Sequence, residues 1–70
     1  MIPDRLRQEA RNAFAAYEKV FIDRIVKKPG WHLDADHFEK VLATGDEARI
    51  RGYIDDLKAA RRDLESATIV

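Results

Sequence analysis

Pro29-Gly30 cuts this chain into parts that cannot continue one another. Proline has no backbone N–H and disfavours helical geometry in the residue before it, while glycine accepts positive φ freely. Proline second and glycine third in Lys28-Pro29-Gly30-Trp31 is the combination a type II turn requires. A helix arriving from the N-terminal side must stop near Lys28, and the chain beyond must leave in a new direction.

Before the turn, Leu6, Ala10, Ala13, Phe14, Tyr17, Phe21 and Ile25 recur at helical steps and form one apolar face. Pro3 suits a first helical turn, Asp4 complements the positive helix end, and Lys27 and Lys28 complement the negative one. This pattern predicts a first helix over residues 1–28. Val20, Ile22 and Val26 widen the stripe beyond what one neighbouring helix can cover, so burial is expected on two sides, inside the domain or against another chain.

After the turn, Trp31-His32-Leu33 completes a turn and link over residues 29–33. Asp34 is a natural N-cap for a short helix over residues 34–43, with Phe38, Val41 and Leu42 facing inward. Gly45 can close that helix in a left-handed conformation. Thr44 and Glu47 have capping-box spacing for a third helix, and Asp46 is a rival cap. The third helix is predicted over residues 46–65, with Ile50, Tyr53, Ile54, Leu57 and Leu64 on its face and Ala60 between them. Glu47/Arg51 and Arg61/Glu65 stand at helix spacing, each pair contributing ~0.2–0.5 kcal/mol. Gly52 costs ~1 kcal/mol relative to alanine inside a helix, and is expected to mark a close approach by Trp31 or the first helix. Residues 66–70 read as a frayed tail. With no strand signal that could build a sheet, the expectation is one domain over residues 1–70. Its class is all-α, a compact helical hairpin or three-helix bundle with long, short and long helices.

The chain has 70 residues and no cysteine. Disulfides and thiolate metal sites are therefore excluded. A core this small yields net stability on the order of a few kcal/mol, so good helix packing, self-association or a partner must supplement it. A 46% hydrophobic and 37% charged composition with zero formal net charge excludes the disordered class. No apolar run approaches the ~18–20 residues of a membrane span, and the first residues lack a secretory pattern. A cytoplasmic protein with no membrane partner is expected.

The charges cancel in total but not in place. Residues 1–28 carry seven basic and four acidic side chains, a net of +3. Residues 29–48 carry one basic and five acidic side chains, a net of −4. Residues 49–70 carry five basic and four acidic side chains, a net of +1. The acidic middle holds the candidate partner-binding residues Trp31, Asp34, Asp36, Glu39, Asp46 and Glu47, with Phe38 alongside. Aromatic anchors beside charge are common at protein interfaces. The ordinary reading of the same residues is that the carboxylates cap helices and Trp31 closes the core. Arg5, Arg7 and Arg11 near the start of the first helix would share a pole with Arg61 and Arg62 if the long helices pack antiparallel. That pole could make an auxiliary DNA or RNA contact within a complex. The near-neutral total argues against strong autonomous binding.

His32-x-Asp34-x-Asp36-His37 gathers imidazoles and carboxylates that divalent ions accept. Both aspartates are needed for capping, however, and the spacing of a calcium loop is missing, so no metal or other cofactor is expected. No catalytic residues are assigned. The chain has no cysteine nucleophile, Ser66 and Thr68 fall in the tail, and a domain this small hardly encloses a pocket. Thr68-Ile69-Val70 has the form of a terminal ligand for a PDZ-type groove, though an apolar tail is the ordinary reading.

From Trp31 to Tyr53 the spacing resembles the Hha/YmoA family of small, all-helical bacterial proteins that bind H-NS-type nucleoid proteins. The features that carry the resemblance are Trp31-His32-Leu33 entering a short helix and Thr44-Gly45-Asp46 turning into a long one. The resemblance implies that Asp46 and neighbouring acidic residues contact basic side chains of a nucleoid partner. It also implies that basic residues elsewhere assist DNA engagement. The function expected is thus a non-enzymatic, protein-binding regulator of transcription or nucleoid machinery. A phage- or plasmid-encoded inhibitor of a host machine such as RNA polymerase fits the same surface. A homodimer, structural or assembly module, or antitoxin-like subunit is the alternative that Val20, Ile22 and Val26 favour.

Overall fold

Pro3, extended at φ −63° and ψ 146°, hands the chain to helix α1 (Asp4–Phe21) in a computed structural model that describes residues 2–66. The Pro3 carbonyl accepts the N–H groups of Leu6 and Arg7 at 3.1 and 3.2 Å. Helical backbone ends before the predicted Lys28. Ile22–Val26 open into a π-helical turn, and Lys27 takes a left-handed conformation at φ 55°. Its N–H closes on the Ile22 carbonyl at 2.6 Å. Pro29 is the physical reason, because it denies helical backbone to Lys28 and the helix must unwind before it. At the turn, Gly30 has φ 83° and Trp31 N–H reaches the Lys28 carbonyl at 3.4 Å, as the type II reading requires.

Helix α2 (Asp36–Ala43) starts later than the predicted residue 34, and its N-cap is Ala35, which makes no side-chain cap bond, rather than Asp34. Asp34 still organises its start, because its Oδ1 accepts the Asp36 N–H at 3.0 Å. Gly45, at φ 68°, closes α2 with its N–H on the Leu42 carbonyl at 3.3 Å. Thr44 is consumed by this turn. Its hydroxyl donates to the Val41 carbonyl at 2.6 Å and accepts the Asp46 N–H at 3.2 Å. Asp46 therefore caps helix α3 (Glu47–Ser66), its Oδ1 accepting the Arg49 N–H at 3.2 Å. The capping box between Thr44 and Glu47 does not form, and Glu47 pairs with Arg51 at 3.2 Å instead.

The chain rises along α1, descends through the link and α2, and rises again along α3. On the descending limb, Phe14 stacks on Phe38 with ring centroids 4.5 Å apart, and Leu33 N–H reaches Glu18 at 2.9 Å. On the second ascent, Glu9 Oε1 lies 4.0 Å from Lys58 Nζ. Pro3 and Leu6 border Arg51, while Ala13 and Ala16 border Leu57 and Arg61. The long helices α1 and α3 thus run parallel, because the short helix takes a full descending limb between them. The architecture is an all-α three-helix arrangement, 44 × 23 × 17 Å in extent.

The buried core is Ile2, Leu6, Ala10, Phe38, Val41, Leu42, Ile50, Ile54 and Leu57, with Ile50 fully enclosed. Each large side chain buried there contributes ~1.5–3 kcal/mol. The core is concentrated towards the end where α1 and α3 begin. Further along α1 and through the π-helical turn, Tyr17, Val20, Phe21, Ile22 and Val26 are only half-buried. Ile25, predicted on the inward face, is instead 56% exposed. The wider π turn breaks the regular helical step that would have kept it in line with Phe21. Gly52 also departs from expectation. It is exposed, and a Cβ built there meets nothing within 4 Å. Trp31 packs elsewhere, against Phe21. Among the described residues no helix is long and apolar enough to cross a membrane. The Thr68-Ile69-Val70 terminus and most of the 66–70 tail lie outside the described residues.

Candidate protein-docking surface

The link between α1 and α2 carries the acidic-aromatic surface, and it is fixed from below. Trp31 stacks on Phe21 with centroids 5.6 Å apart and an interplanar angle of 23°, and Phe21 in turn tilts against Tyr17 at 5.9 Å. Trp31 remains 36% exposed, so it caps the aromatic row without closing a core. The anchor that holds the link is Glu18. Its Oε2 accepts the Leu33 N–H at 2.9 Å, and its Oε1 lies 3.7 Å from His32 Nδ1, an ion pair whenever that imidazole is protonated. Glu18 is not among the functional residues that the sequence pattern singled out. The signal available was its position on the same face of α1 as Phe14 and Phe21, between Tyr17 and the link.

The acidic candidates do not form one cluster. Asp34 and Asp36 lie exposed beside the Trp31 link, and Asp34 is engaged with the Asp36 backbone. Glu39, one helical turn further on, meets Arg11 Nη1 at 3.4 Å. Asp46 and Glu47 sit at the opposite end of α2, capping α3 and pairing with Arg51. Only Trp31, Asp34 and Asp36 therefore share the link region, and Glu39 stands at its edge. Exposed pairs such as Arg11–Glu39 contribute ~0–1 kcal/mol, so a competing partner could open them at little cost.

The basic candidates separate as well. Arg5, Arg7 and Arg11 lie towards the beginning of α1, while Arg61 and Arg62 lie near the end of α3. With α1 and α3 parallel, these are opposite ends of the molecule, and the single basic pole expected from an antiparallel pairing is not formed. Arg61 Nε lies 3.8 Å from Glu65 Oε1, and Arg11 is held by Glu39. An open cleft of about 300 Å³ runs between α1 and α3, lined by Glu9, Asn12, Ala13, Ala16, Leu57, Lys58 and Arg61. Trp31 does not line it, and it combines a small-residue floor with an internal Glu9–Lys58 pair.

The imidazoles and carboxylates of His32-x-Asp34-x-Asp36-His37 are drawn to different places. His32 turns to Glu18, His37 meets the Tyr53 ring edge-on at 5.6 Å, and Asp34 serves the backbone. Among the described residues no group of three or more histidines and carboxylates is gathered to hold a metal. Tyr53 also packs against Phe38 at 5.9 Å, and its pKa is raised by burial first and by the neighbouring Tyr17 second. That environment strengthens the neutral phenol and equips it for packing. Comparison with protein-family models, curated proteins and solved structures finds no match.

Proposed function

We propose that this chain is a non-enzymatic regulator that docks on a protein of the transcription or nucleoid machinery through the surface around Trp31, Asp34, Asp36 and Glu39. The observation that carries the reading is Trp31 itself. An indole that is stacked on Phe21, backed by the Glu18 clasp and still open to solvent is a pre-positioned anchor. Little side-chain entropy remains to be lost when a partner covers it. The adjacent carboxylates favour a partner presenting lysine or arginine. The resemblance of residues 31–53 to the Hha/YmoA family supports the choice of machinery. By that resemblance, Asp46 would extend the contact towards α3, and arginines at either end would touch nucleic acid within the complex.

The test is affinity capture by the tagged protein from nuclease-treated bacterial lysate, read by mass spectrometry, beside a variant with Asp36, Glu39 and Trp31 changed to Lys, Lys and Ala. RNA polymerase or a nucleoid protein retained by the native chain and lost by the helical variant supports the proposal. Equal retention by both removes the acidic-aromatic surface from consideration.

A further inference from the structure

The two large hydrophobic side chains left exposed among the described residues, Ile25 and Trp31, flank the same turn. The charges around them are ordered. Before the turn stand Asp23, Arg24, Lys27 and Lys28, a net of +2, and after it Asp34 and Asp36, a net of −2, all exposed. Among the described residues none of these six enters an ion pair. Along the chain a net-positive stretch, with Ile25 inside it, is thus followed by Trp31 and then by a negative stretch. Such a strip is complementary to itself when turned end for end. A two-fold axis near Trp31 would place the cations of one copy opposite the carboxylates of the other, with Trp31 at the centre and Ile25 covered beside the cations.

We propose that the turn region of residues 24–36 is a homodimer interface, whose occupant is a second copy of this chain related by a two-fold axis near Trp31. Two further observations favour that occupant. The core thins out along α1 towards this turn, leaving Tyr17, Val20, Phe21, Ile22 and Val26 half-buried. A cysteine-free chain of 70 residues also has few other means of strengthening a small core. An anionic nucleic acid would satisfy the three cations but would meet Asp34 and Asp36 with like charge. A second copy satisfies both halves. The interface shares Trp31 with the proposed partner surface, so dimer and partner would exclude one another, but the dimer does not depend on that partner's existence.

The experiment is sedimentation equilibrium of the full chain and two charge variants, with circular dichroism as the folding check. One variant is Lys27→Glu/Lys28→Glu. The other is Asp34→Asn/Asp36→Lys, which keeps at position 34 a side-chain oxygen able to accept the N–H of residue 36. The native chain is expected to dimerise with concentration. Each variant alone should associate at least about tenfold more weakly, because like charges then face one another. An equimolar mixture of the two should recover the dimer, since each supplies the charges the other lacks. A native chain that stays monomeric up to millimolar concentration overturns the proposal, as do helical variants that dimerise like the native chain or a mixture that stays monomeric. Trp31 is the sole tryptophan. A monomer whose tryptophan emission shifts on adding oligo-dT would reassign the turn to nucleic acid and overturn the dimer.

Discussion

Alanine at Gly52 and alanine at Gly45 are the same chemical change with opposite expected signs. Gly52 lies inside α3, is exposed, and has nothing within 4 Å of a built Cβ. The substitution there adds no clash and removes the conformational freedom that glycine gives the unfolded chain. Host–guest scales put the gain at about 0.8–1.0 kcal/mol. For a domain of this size that is a rise in Tm of about 4–8 °C. Gly45 is equally open in space, but its φ of 68° is a region L-residues enter only at a cost. Alanine there should destabilise by about 1–2 kcal/mol. Thermal and urea unfolding followed by circular dichroism would measure both at one dilute concentration. A loss of stability at Gly52 would refute the reasoning, because it would mean that something approaches α3 there. A gain at Gly45 would refute the left-handed closure of α2.

Asp46→Ala should cost about 1 kcal/mol by removing the α3 cap, while Asp46→Asn should be close to neutral because asparagine caps as well; urea unfolding of the two separates capping from charge. Glu18→Ala should release the link from α1, leave the Leu33 N–H without its acceptor at a cost of about 1–3 kcal/mol, and red-shift tryptophan emission, and unchanged emission would show the clasp to be dispensable. Tyr53 has its pKa raised above the ordinary 10.0. The unfolded chain therefore loses that proton first, and the stability it contributes is present below pH 10.0 and declines as pH rises through the folded value. Tyr53→Phe should flatten that decline in unfolding measurements across alkaline pH, and an unaltered slope would assign it to other groups.

The local elements were legible because they answer to local chemistry. Pro29-Gly30 made its turn, Gly45 closed α2, and the apolar steps of Phe38, Val41, Leu42, Ile50 and Ile54 marked buried positions correctly. The short-range ion pairs Glu47–Arg51 and Arg61–Glu65 followed from helix spacing alone. Misreadings arose where two local signals competed. Thr44 and Asp46 both offered a cap, and the geometry of the Gly45 turn turned the Thr44 hydroxyl back to Val41. Ile25 fitted the helical step, but the π turn ahead of Pro29 carried it into solvent.

By itself, then, the sequence determined three helices, their breaks and their apolar faces, because propensity, capping and periodicity act within a few residues. Only the tertiary structure decided that α1 and α3 run parallel, which places the two arginine groups at opposite ends. Only the tertiary structure placed Trp31 on Phe21 and Glu18 under the link. Helix direction and long-range pairing depend on how many limbs the chain makes between two elements and on which faces then meet. That is a sum over contacts far apart in sequence, and no window along the chain contains it.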